Sequence, residues 1–168
     1  MRIRTATEAD LPGILAIYNE VVRTSTAVYT EEEASLDQRR AWFRDRRALG
    51  YPVLVAEDEA GDVAGFSSFG DFRPWPGFRL TVEHSVYIRT DCRGRGLGAA
   101  LITPLFSEAT ALGKHVMIGG IDAANPASLR LHDKLGFTRV GRMNEVGTKF
   151  GRWLDLVFMQ RILSEGAP

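Results

Sequence analysis

A glycine-rich hexapeptide just past the middle of the chain limits what its 168 residues can fold into. The segment Arg93–Gly98 has the sequence RGRGLG, and it follows a strand-like run and precedes a helix-like one. Glycine has no side chain, so the backbone of such a loop can approach a bulky anion closely. The first turn of a helix adds unpaired N–H groups and the positive end of the helix dipole. The pattern therefore predicts a phosphate-binding loop.

Alternating helix and strand patterns surround this loop and predict an α/β or α+β architecture. Ser35 and Gln38 form a capping-box signature, and Asn125 followed by a proline marks the start of a later helix. The predicted order is β-α-α-β-β-β-α-β-α-β-β, with strands over residues 2–5, 53–56, 63–69, 79–89, 115–121, 137–143 and 153–163. We expect one domain over residues 1–163 and a short tail over residues 164–168.

The charge balance, the N-terminus and the cysteine content limit which partners and which cell compartment we expect for this protein. Lysine and arginine together number 21, as do aspartate and glutamate, so no overall field attracts nucleic acid or an anionic membrane. The N-terminus lacks the apolar run of a signal peptide, and the only cysteine is Cys92. These features predict a cytoplasmic protein. His84, His115 and His132 lack the spacing of metal ligands, so we expect no metal.

Three kinds of phosphate-binding loop could account for the hexapeptide. A P-loop needs a lysine followed by serine or threonine, but Gly98 is followed by two alanines, which excludes it. The dinucleotide fingerprint does match from Gly94 to Ala99, and Asp122 lies where a ribose-binding acid could stand. However, the loop lies late in a small chain and contains two arginines, which is unusual for that fold.

The third kind of loop fits more of the chain. Arg93, Gly96 and Gly98 match the pattern Q/R-x-x-G-x-G/A, which resembles the pyrophosphate motif of the GNAT superfamily of N-acetyltransferases. The helix that starts at Asn125 and ends in Leu-Gly-Phe at residues 135–137, and the order of elements, are also similar to that superfamily. The resemblance implies an acyl-CoA N-acyltransferase fold, a mixed and mostly antiparallel central sheet flanked by helices.

Three shorter segments look like one group within that superfamily. Residues 72–74, 82–87 and 149–155 resemble the phosphinothricin and methionine sulfoximine acetyltransferases. This resemblance implies acetyl-CoA as the acetyl donor and the α-amine of a small amino-acid analogue as the acceptor. It further implies a detoxification or resistance role and a homodimer.

Glu83 and His132 are the candidate catalytic residues. An α-amine is mostly protonated at neutral pH, so a base that removes its proton assists transfer. Glu83 precedes the glycine loop on the strand where acceptor and thioester should meet, although an ion-paired surface carboxylate would fit the same position. His132 stands where many superfamily members carry a tyrosine, and its imidazolium could protonate the departing thiolate. A merely packed histidine is the alternative.

The remaining candidates bind the two substrates. Acetyl-CoA is expected to contact the glycine loop, the strand before it and the Asn125 helix, namely Ser85, Val86, Tyr87, Arg93, Gly94, Arg95, Gly96, Leu97, Gly98, Asn125 and Lys134. The acceptor is expected to contact Phe72, Arg73, Pro74, Val82, Glu83 and His84. Among these, Arg73 could pair with the acceptor carboxylate through both ends of its guanidinium. His84 should face away from Glu83 by simple alternation, unless a bulge intervenes.

Two other functions stay open from the sequence. The chain could acetylate a different amine, such as a protein N-terminus, which requires an open groove in place of a closed pocket around Arg73. It could also be a non-catalytic module that binds CoA or a dinucleotide.

Overall fold

Seven strands of the chain join in one sheet, and four helices cover its two faces in the computed structural model, which describes residues 1–164. The strands are Arg2–Thr5 (β1), Val53–Glu57 (β2), Val63–Asp71 (β3), Thr81–Ile88 (β4), Val116–Asp122 (β5), Thr138–Lys149 (β6) and Arg152–Ile162 (β7). The helices are Leu11–Thr24 (α1), Leu36–Ala48 (α2), Leu97–Ala111 (α3) and Pro126–Lys134 (α4). The predicted order of elements is confirmed.

The sheet has the strand order β1-β2-β3-β4-β5-β7-β6. Every neighbouring pair is antiparallel except β4 and β5, which run parallel. The predicted fold class, a mixed and mostly antiparallel sheet flanked by helices, is therefore confirmed.

Alternation along the strands divides the core into two layers. On β2, Val53 and Val55 belong to the cluster beneath α1 and α2, whereas Leu54 and Ala56 belong to the cluster beneath α3 and α4. Successive side chains of a strand point to opposite faces, so a run of apolar residues on β2 feeds both layers. The central strands are consequently buried on both sides.

Two predicted helix starts form as the sequence indicates. The Ser35 hydroxyl accepts a hydrogen bond from the Gln38 N–H at 3.2 Å, and the Gln38 side chain accepts one from the Ser35 N–H at 2.8 Å. The Asn125 side chain accepts a hydrogen bond from the Ser128 N–H at 3.0 Å. These contacts satisfy backbone donors that have no partner within the helix.

The parallel strands β4 and β5 separate along their length. They pair only from Thr81 to Glu83, opposite residues 116–118, although β4 continues to Ile88 and β5 to Asp122. Beyond Glu83, β4 keeps β3 as its neighbour on one side only. A gap therefore opens in the middle of the sheet, directly before the glycine loop.

The last hairpin differs from its prediction. The sequence predicts strands over residues 137–143 and 153–163, but pairing between β6 and β7 resumes at Gly147 and continues to Lys149. The register shifts between Met143 and Gly147, and Glu145 has a φ of 53°. This bulge breaks the alternation on which the prediction depended. Of the predicted tail, residues 165–168 lie outside the described residues.

Residues 1–164 contain no helix that is both long enough and apolar enough to cross a membrane.

Candidate active site

The gap between β4 and β5 is a cavity of about 310 Å³. Its walls come from both strands, from the segment after α1, from α2, from the end of β3 and from α4 with its N-cap: Ala27, Arg46, Gly70, Asp71, Glu83, His84, Ser85, Val86, Tyr87, Gly119, Gly120, Ile121, Asp122, Asn125, Ser128 and His132. Because the sheet itself is open here, the cavity connects its two faces. The sequence-predicted residues Glu83, His84, Asn125 and His132 are brought together in it.

Glu83 lies at the last paired position of β4, at the edge of the gap. Its side chain is largely withdrawn from solvent, and burial raises the pKa of its carboxyl, with the positive charge of Arg73 acting in the opposite direction. A carboxylate that is poorly solvated holds a proton more readily than one in water. Glu83 is therefore suited to accept a proton inside the cavity.

His84 points to the opposite face of the sheet from Glu83, as simple alternation predicts. Strand β4 pairs regularly with β3 from residue 82 to residue 88, with no bulge between them. Both side chains nevertheless line the same cavity, because the gap gives access to each face.

The imidazoles of His84 and His132 contact each other. Their Nε2 atoms are 3.0 Å apart, and the His132 Nδ1 atom is 2.7 Å from the Ser128 carbonyl oxygen. A carbonyl can only accept, so His132 carries its proton on Nδ1 when it is neutral. His84 must then donate from Nε2, which leaves its Nδ1 as an acceptor, and that atom is buried without a partner in the described residues.

Burial keeps both histidines neutral. It lowers the pKa of His84 to about 3, with a further contribution from His132, and it lowers the pKa of His132 against the opposing effect of the Ser128 carbonyl. Imidazolium is therefore not the resting form of His132 at neutral pH, which differs from the state that we expected for a proton donor. The pair is a chain of two neutral imidazoles with one proton between them.

Two consecutive glycines on β5 make room for these side chains. A β-carbon on Gly120 would lie 2.9 Å from Glu83 Oε1, and one on Gly119 would lie 3.2 Å from both the His84 and His132 rings. Sequence reasoning missed this pair. Glycine inside a strand pattern is the available signal, since it marks a close approach by another group.

The glycine loop surrounds a second cavity of about 450 Å³. Gly94 and Gly96 have φ values of 75° and 79°, which favour glycine, and neither would place a β-carbon within 4 Å of other atoms. The first backbone bond of α3 runs from the Ala100 N–H to the Gly96 carbonyl at 3.1 Å. The N–H groups before Ala100 therefore face the loop without a helical partner.

The two cavities share Ala27, Val86, Tyr87, Asn125 and Ser128 in their walls. Val86 and Tyr87 lie on the part of β4 that has no pairing partner on β5. A long ligand can therefore run from the glycine loop along β4 to Glu83. This arrangement suits a molecule with a phosphate at one end and a reactive group at the other.

The other predicted CoA contacts divide into two sets. Leu97, Gly98 and Arg93 line the cavity of the glycine loop. Arg95 and Lys134 are exposed and line neither cavity. Their predicted contacts therefore depend on side chains that extend from the surface.

The predicted acceptor residues are spread over three environments. Phe72 packs edge-on against Phe78 and Phe158, and the exposed Arg73 stacks over Phe72 with its Cζ atom 4.2 Å from the ring centre. Arg73 also donates a hydrogen bond to the Phe72 carbonyl at 2.8 Å. It does not line the cavity, although its charge reaches Glu83. Pro74 is exposed beside it.

Val82 does not have the position that we expected for a substrate contact. Its exposed fraction is zero, and it packs in the core beneath α3 and α4. Alternation on β4 places Val82 on the same face as His84, but before the gap opens, so it remains covered.

Sequence reasoning also missed the arginines of α2. Arg46 lines the cavity beside Glu83, and Arg39 is buried about two helical turns before it. Residues 36, 39, 42, 43 and 46 follow the spacing of one helix face, on which two positions of an otherwise apolar stripe are arginines. That departure from the apolar pattern is the signal in the sequence.

Lys149 is a second residue with an unexpected environment. Its side chain is 1% exposed, and its ammonium group donates hydrogen bonds to the carbonyls of Ser25 and Val28, the latter at 2.8 Å. These bonds hold the segment that follows α1, and Ala27 of that segment forms part of the cavity wall.

Residues 1–164 contain no group of three or more histidine, cysteine, aspartate or glutamate side chains arranged to hold a metal ion.

Comparison with known proteins gives consistent matches over the whole chain. Residues 1–138 match the family model described as acetyltransferase (GNAT) domain. An L-methionine sulfoximine/L-methionine sulfone acetyltransferase from Pseudomonas aeruginosa is 56% identical over 158 residues, which are 94% of this chain and 92% of that protein. A phosphinothricin N-acetyltransferase from Alcaligenes faecalis is 39% identical over 98% of this chain and 83% of its own length.

Solved structures resemble the fold closely. An acetyltransferase from Salmonella typhimurium, solved with its cofactor acetyl-CoA, superposes with a TM-score of 0.97 at 50% identity, over 100% of this chain and 96% of its own. A ribosomal-protein-alanine N-acetyltransferase from Brucella melitensis superposes with a TM-score of 0.94 at 49% identity, over 96% and 99%.

Proposed function

The chain belongs to the GNAT acetyltransferase family, and we propose that it moves the acetyl group of acetyl-CoA to the α-amine of a small amino-acid analogue. The proposed acceptors are methionine sulfoximine, methionine sulfone and phosphinothricin, the compounds for which its relatives are named. All three are small amino acids with a polar tetrahedral group on the side chain. Acetylating such compounds would give the enzyme a detoxification or resistance role.

One observation carries this proposal: the half-buried carboxylate of Glu83 lines the cavity of the gap, which shares part of its wall with the cavity of the glycine loop. Its cavity opens toward α2 on one side and continues along β4 to the glycine loop on the other. An amine bound beside Glu83 would lose its proton to this carboxylate, directly or through one water. The neutral amine can then attack the thioester carbonyl.

The glycine loop and the open edge of β4 fit acetyl-CoA. Backbone N–H groups at the start of α3, with Arg93 beside them, would hold the pyrophosphate. The backbone of residues 85–87 would pair with the pantetheine arm as an added strand does. Asn125 borders both cavities and would touch the same arm. Arg95 and Lys134 would reach phosphate oxygens from the surface.

The histidine pair is proposed to return a proton to the departing thiolate. His132 would act through the proton that it shares with His84, because neither imidazole is charged at rest. In the proposed relay, His132 gives its Nδ1 proton to the thiolate, and His84 passes its Nε2 proton to His132 Nε2. The proton that Glu83 removes from the amine then reaches His84 Nδ1 through water.

The loop after β3 is proposed to hold the backbone end of the acceptor. Arg73 would turn from Phe72 toward the acceptor carboxylate, and its charge already reaches Glu83. Phe72 and Pro74 would form the adjoining wall. Direct transfer with both substrates bound needs no enzyme thiol.

A protein N-terminus is the second candidate acceptor. It is favoured by one solved relative, the ribosomal-protein-alanine N-acetyltransferase from Brucella melitensis. A peptide needs an open path beyond its first residue, whereas a free amino acid needs its carboxylate recognised. A short peptide beginning with alanine therefore distinguishes the two classes of acceptor.

We also propose that two copies of the chain associate through the exposed edge strand β6. Val140, Met143 and Val146 are 49%, 39% and 48% exposed, and Trp153 on the neighbouring strand is 67% exposed. An apolar edge strand is prone to pair with another edge. Sedimentation of the wild-type protein and of a Met143→Ser, Trp153→Ser double variant tests this, with a dimer and a monomer as the expected results.

A cytoplasmic location is proposed from the supply of acetyl-CoA and from the single cysteine, Cys92, which is free and buried.

A turnover screen with acetyl-CoA tests the proposed function. We expect release of free CoA with methionine sulfone, methionine sulfoximine or phosphinothricin, and no comparable rate with an alanine-starting peptide. Faster turnover of the peptide would favour the second candidate. Tight acetyl-CoA binding without turnover of any amine would indicate a non-catalytic module instead.

A further inference from the structure

A third cavity of about 470 Å³ adjoins the one that contains Glu83. It lies between α2, the segment before it and the outer face of β3 and β4, and it shares Arg46, Ser85 and Tyr87 with the cavity of the gap. A ligand whose amine is beside Glu83 would therefore enter it past these three shared residues.

Two arginines give this third cavity its chemistry. The side chain of Arg39 is 7% exposed and lies between two aromatic rings, with its Cζ atom 4.0 Å from the centre of Tyr18 and 4.8 Å from that of Trp42. The Arg46 guanidinium lies against the backbone of Gly70, where a β-carbon would be 2.6 Å from Cζ. Gly70 is the cross-strand partner of Glu83, so Arg46 stands beside the proposed base.

Both arginines have a guanidinium N–H group without a hydrogen-bond acceptor among the described residues. The Nε atoms of Arg39 and Arg46 are both buried and without a partner there. Burial lowers the pKa of each guanidinium, and this effect is opposed in part by Tyr18 at Arg39 and by Asp71 at Arg46. Buried polar groups in folded proteins almost always have a partner, so these two donors indicate a missing acceptor.

Other charges at this cavity do not supply that acceptor. Glu33 forms an ion pair with Arg23 at the exposed rim, and Glu32 is exposed beside it. Asp71 lines the neighbouring gap cavity, where its charge acts on Arg46 and its carboxylate accepts a hydrogen bond from Tyr51. The interior of the cavity therefore presents two cations and aromatic rings.

From this arrangement we propose that Arg39 and Arg46 bind the oxygen atoms on the side-chain head of the acceptor. The inference rests on the proposed function and names the residues that would select its substrates. With the α-amine at Glu83 and the carboxylate on the Arg73 side, the side chain extends over Gly70 into the third cavity. A sulfone, sulfoximine or phosphinate offers oxygens to the two guanidinium groups that line this cavity, and the methylene groups fit the aromatic walls.

The comparison of methionine sulfone with methionine tests this assignment, because the two amino acids differ only in the two oxygens on sulfur. For the wild type we expect a higher kcat/KM for the sulfone. Arg46→Met and Arg39→Met should each reduce the sulfone-to-methionine ratio about 10-fold to 100-fold, the size of one hydrogen bond to a charged group. The loss should fall mainly on KM, and Arg46→Lys should restore part of it.

Arg44→Met is the matched control, because Arg44 belongs to the same helix and is exposed. It should leave the ratio unchanged, and equal thermal melting of all variants would exclude misfolding as the cause. A ratio that is unchanged in both Arg39→Met and Arg46→Met overturns the proposal.

Methionine sulfone carboxamide distinguishes the two ends of the acceptor. If Arg46→Met removes the preference for the free acid over the carboxamide and keeps the preference for sulfone over methionine, then Arg46 holds the carboxylate and the assignment to the side-chain head is wrong. If both preferences keep their wild-type size in the variant, the assignment is equally wrong.

Binding measured without turnover separates this inference from the proposed function. Trp42 lines the third cavity, so methionine sulfone should change its fluorescence in the wild type and not in Arg46→Met. Such a change in a wild-type protein that acetylates no amino acid would support the subsite and reject the proposed function. No change together with no turnover would reject both.

Discussion

Glu83 Oε1 lies 2.9 Å from the point where a β-carbon on residue 120 would stand. The proposed base is therefore positioned against the bare backbone of β5, and the missing side chain of Gly120 is part of the site. Gly119, the residue before it, gives the same close approach to the two histidine rings on the other face.

Replacement of Gly120 by alanine should displace the Glu83 carboxylate. A contact of 2.9 Å is shorter than real β-carbons tolerate, so we expect kcat for the best acceptor to fall about 10-fold to 100-fold, the cost of moving a catalytic group by about 1 Å. Steady-state kinetics at saturating acetyl-CoA measure this. Gly77→Ala is the control, because a β-carbon there meets nothing within 4 Å, and it should keep wild-type kcat.

The charge of Arg73 should be visible in the pH–rate profile. Burial raises the pKa of Glu83 and Arg73 lowers it, so the acid limb of kcat/KM should lie above the ordinary pKa of a glutamate. Removing the cation by Arg73→Ala should move that limb to still higher pH. Arg79→Ala removes an exposed arginine from the same loop and should leave the limb in place. A limb that moves to lower pH in Arg73→Ala would contradict the pairing.

The neutral histidine pair should make folding sensitive to acid. The pKa of His84 is about 3 in the folded protein and about 6.5 in the unfolded chain, so only the unfolded chain gains a proton between those values. The stability from this residue is complete above pH 6.5 and should decline by about 2 kcal/mol between pH 6.5 and pH 5. Denaturant unfolding across this range measures the slope.

His84→Gln should flatten that slope, whereas His115→Gln, outside the pair, should preserve it. Equal slopes in the wild type and in His84→Gln would show that His84 is not held neutral.

The glycine loop should control donor binding without affecting chemistry. Gly96 has a φ of 79°, and alanine there strains the backbone and directs a methyl group toward the space proposed for the pyrophosphate. We expect Gly96→Ala to raise the KM for acetyl-CoA at least about 10-fold, with kcat nearly unchanged once acetyl-CoA saturates.

Gly113→Ala is the control for Gly96→Ala and should cause similar backbone strain. The φ of Gly113 is 70°, and a β-carbon there also meets nothing within 4 Å. It lies beyond the end of α3, so its KM for acetyl-CoA should stay at the wild-type value. The same rise in both variants would assign the effect to backbone strain alone.

Local signals predicted most of the fold. The capping box at Ser35, the Asn125 helix start and the glycine loop each depend on residues that are close in sequence, and each forms where expected. The end of β6 was misplaced because a bulge changes which residues face each side, and alternation then stops being a guide.

The site was predicted only in part, because its geometry is tertiary. The contact between His84 and His132 joins residues 48 positions apart, and the gap that exposes both Glu83 and His84 arises where β4 and β5 separate. Neither the contact between the two histidines nor the position of the gap can be predicted from the local sequence. Val82 shows the same limit, because only the position of the gap decides that it stays in the core.

Substitution of Glu83 by glutamine gives the most direct measurement of the central claim. Glutamine keeps the size of the side chain and cannot accept the proton of the amine, so kcat should fall about 100-fold or more while the Kd for acetyl-CoA stays at the wild-type value. Acetylation of methionine sulfone by Glu83→Gln at the wild-type rate would contradict the account.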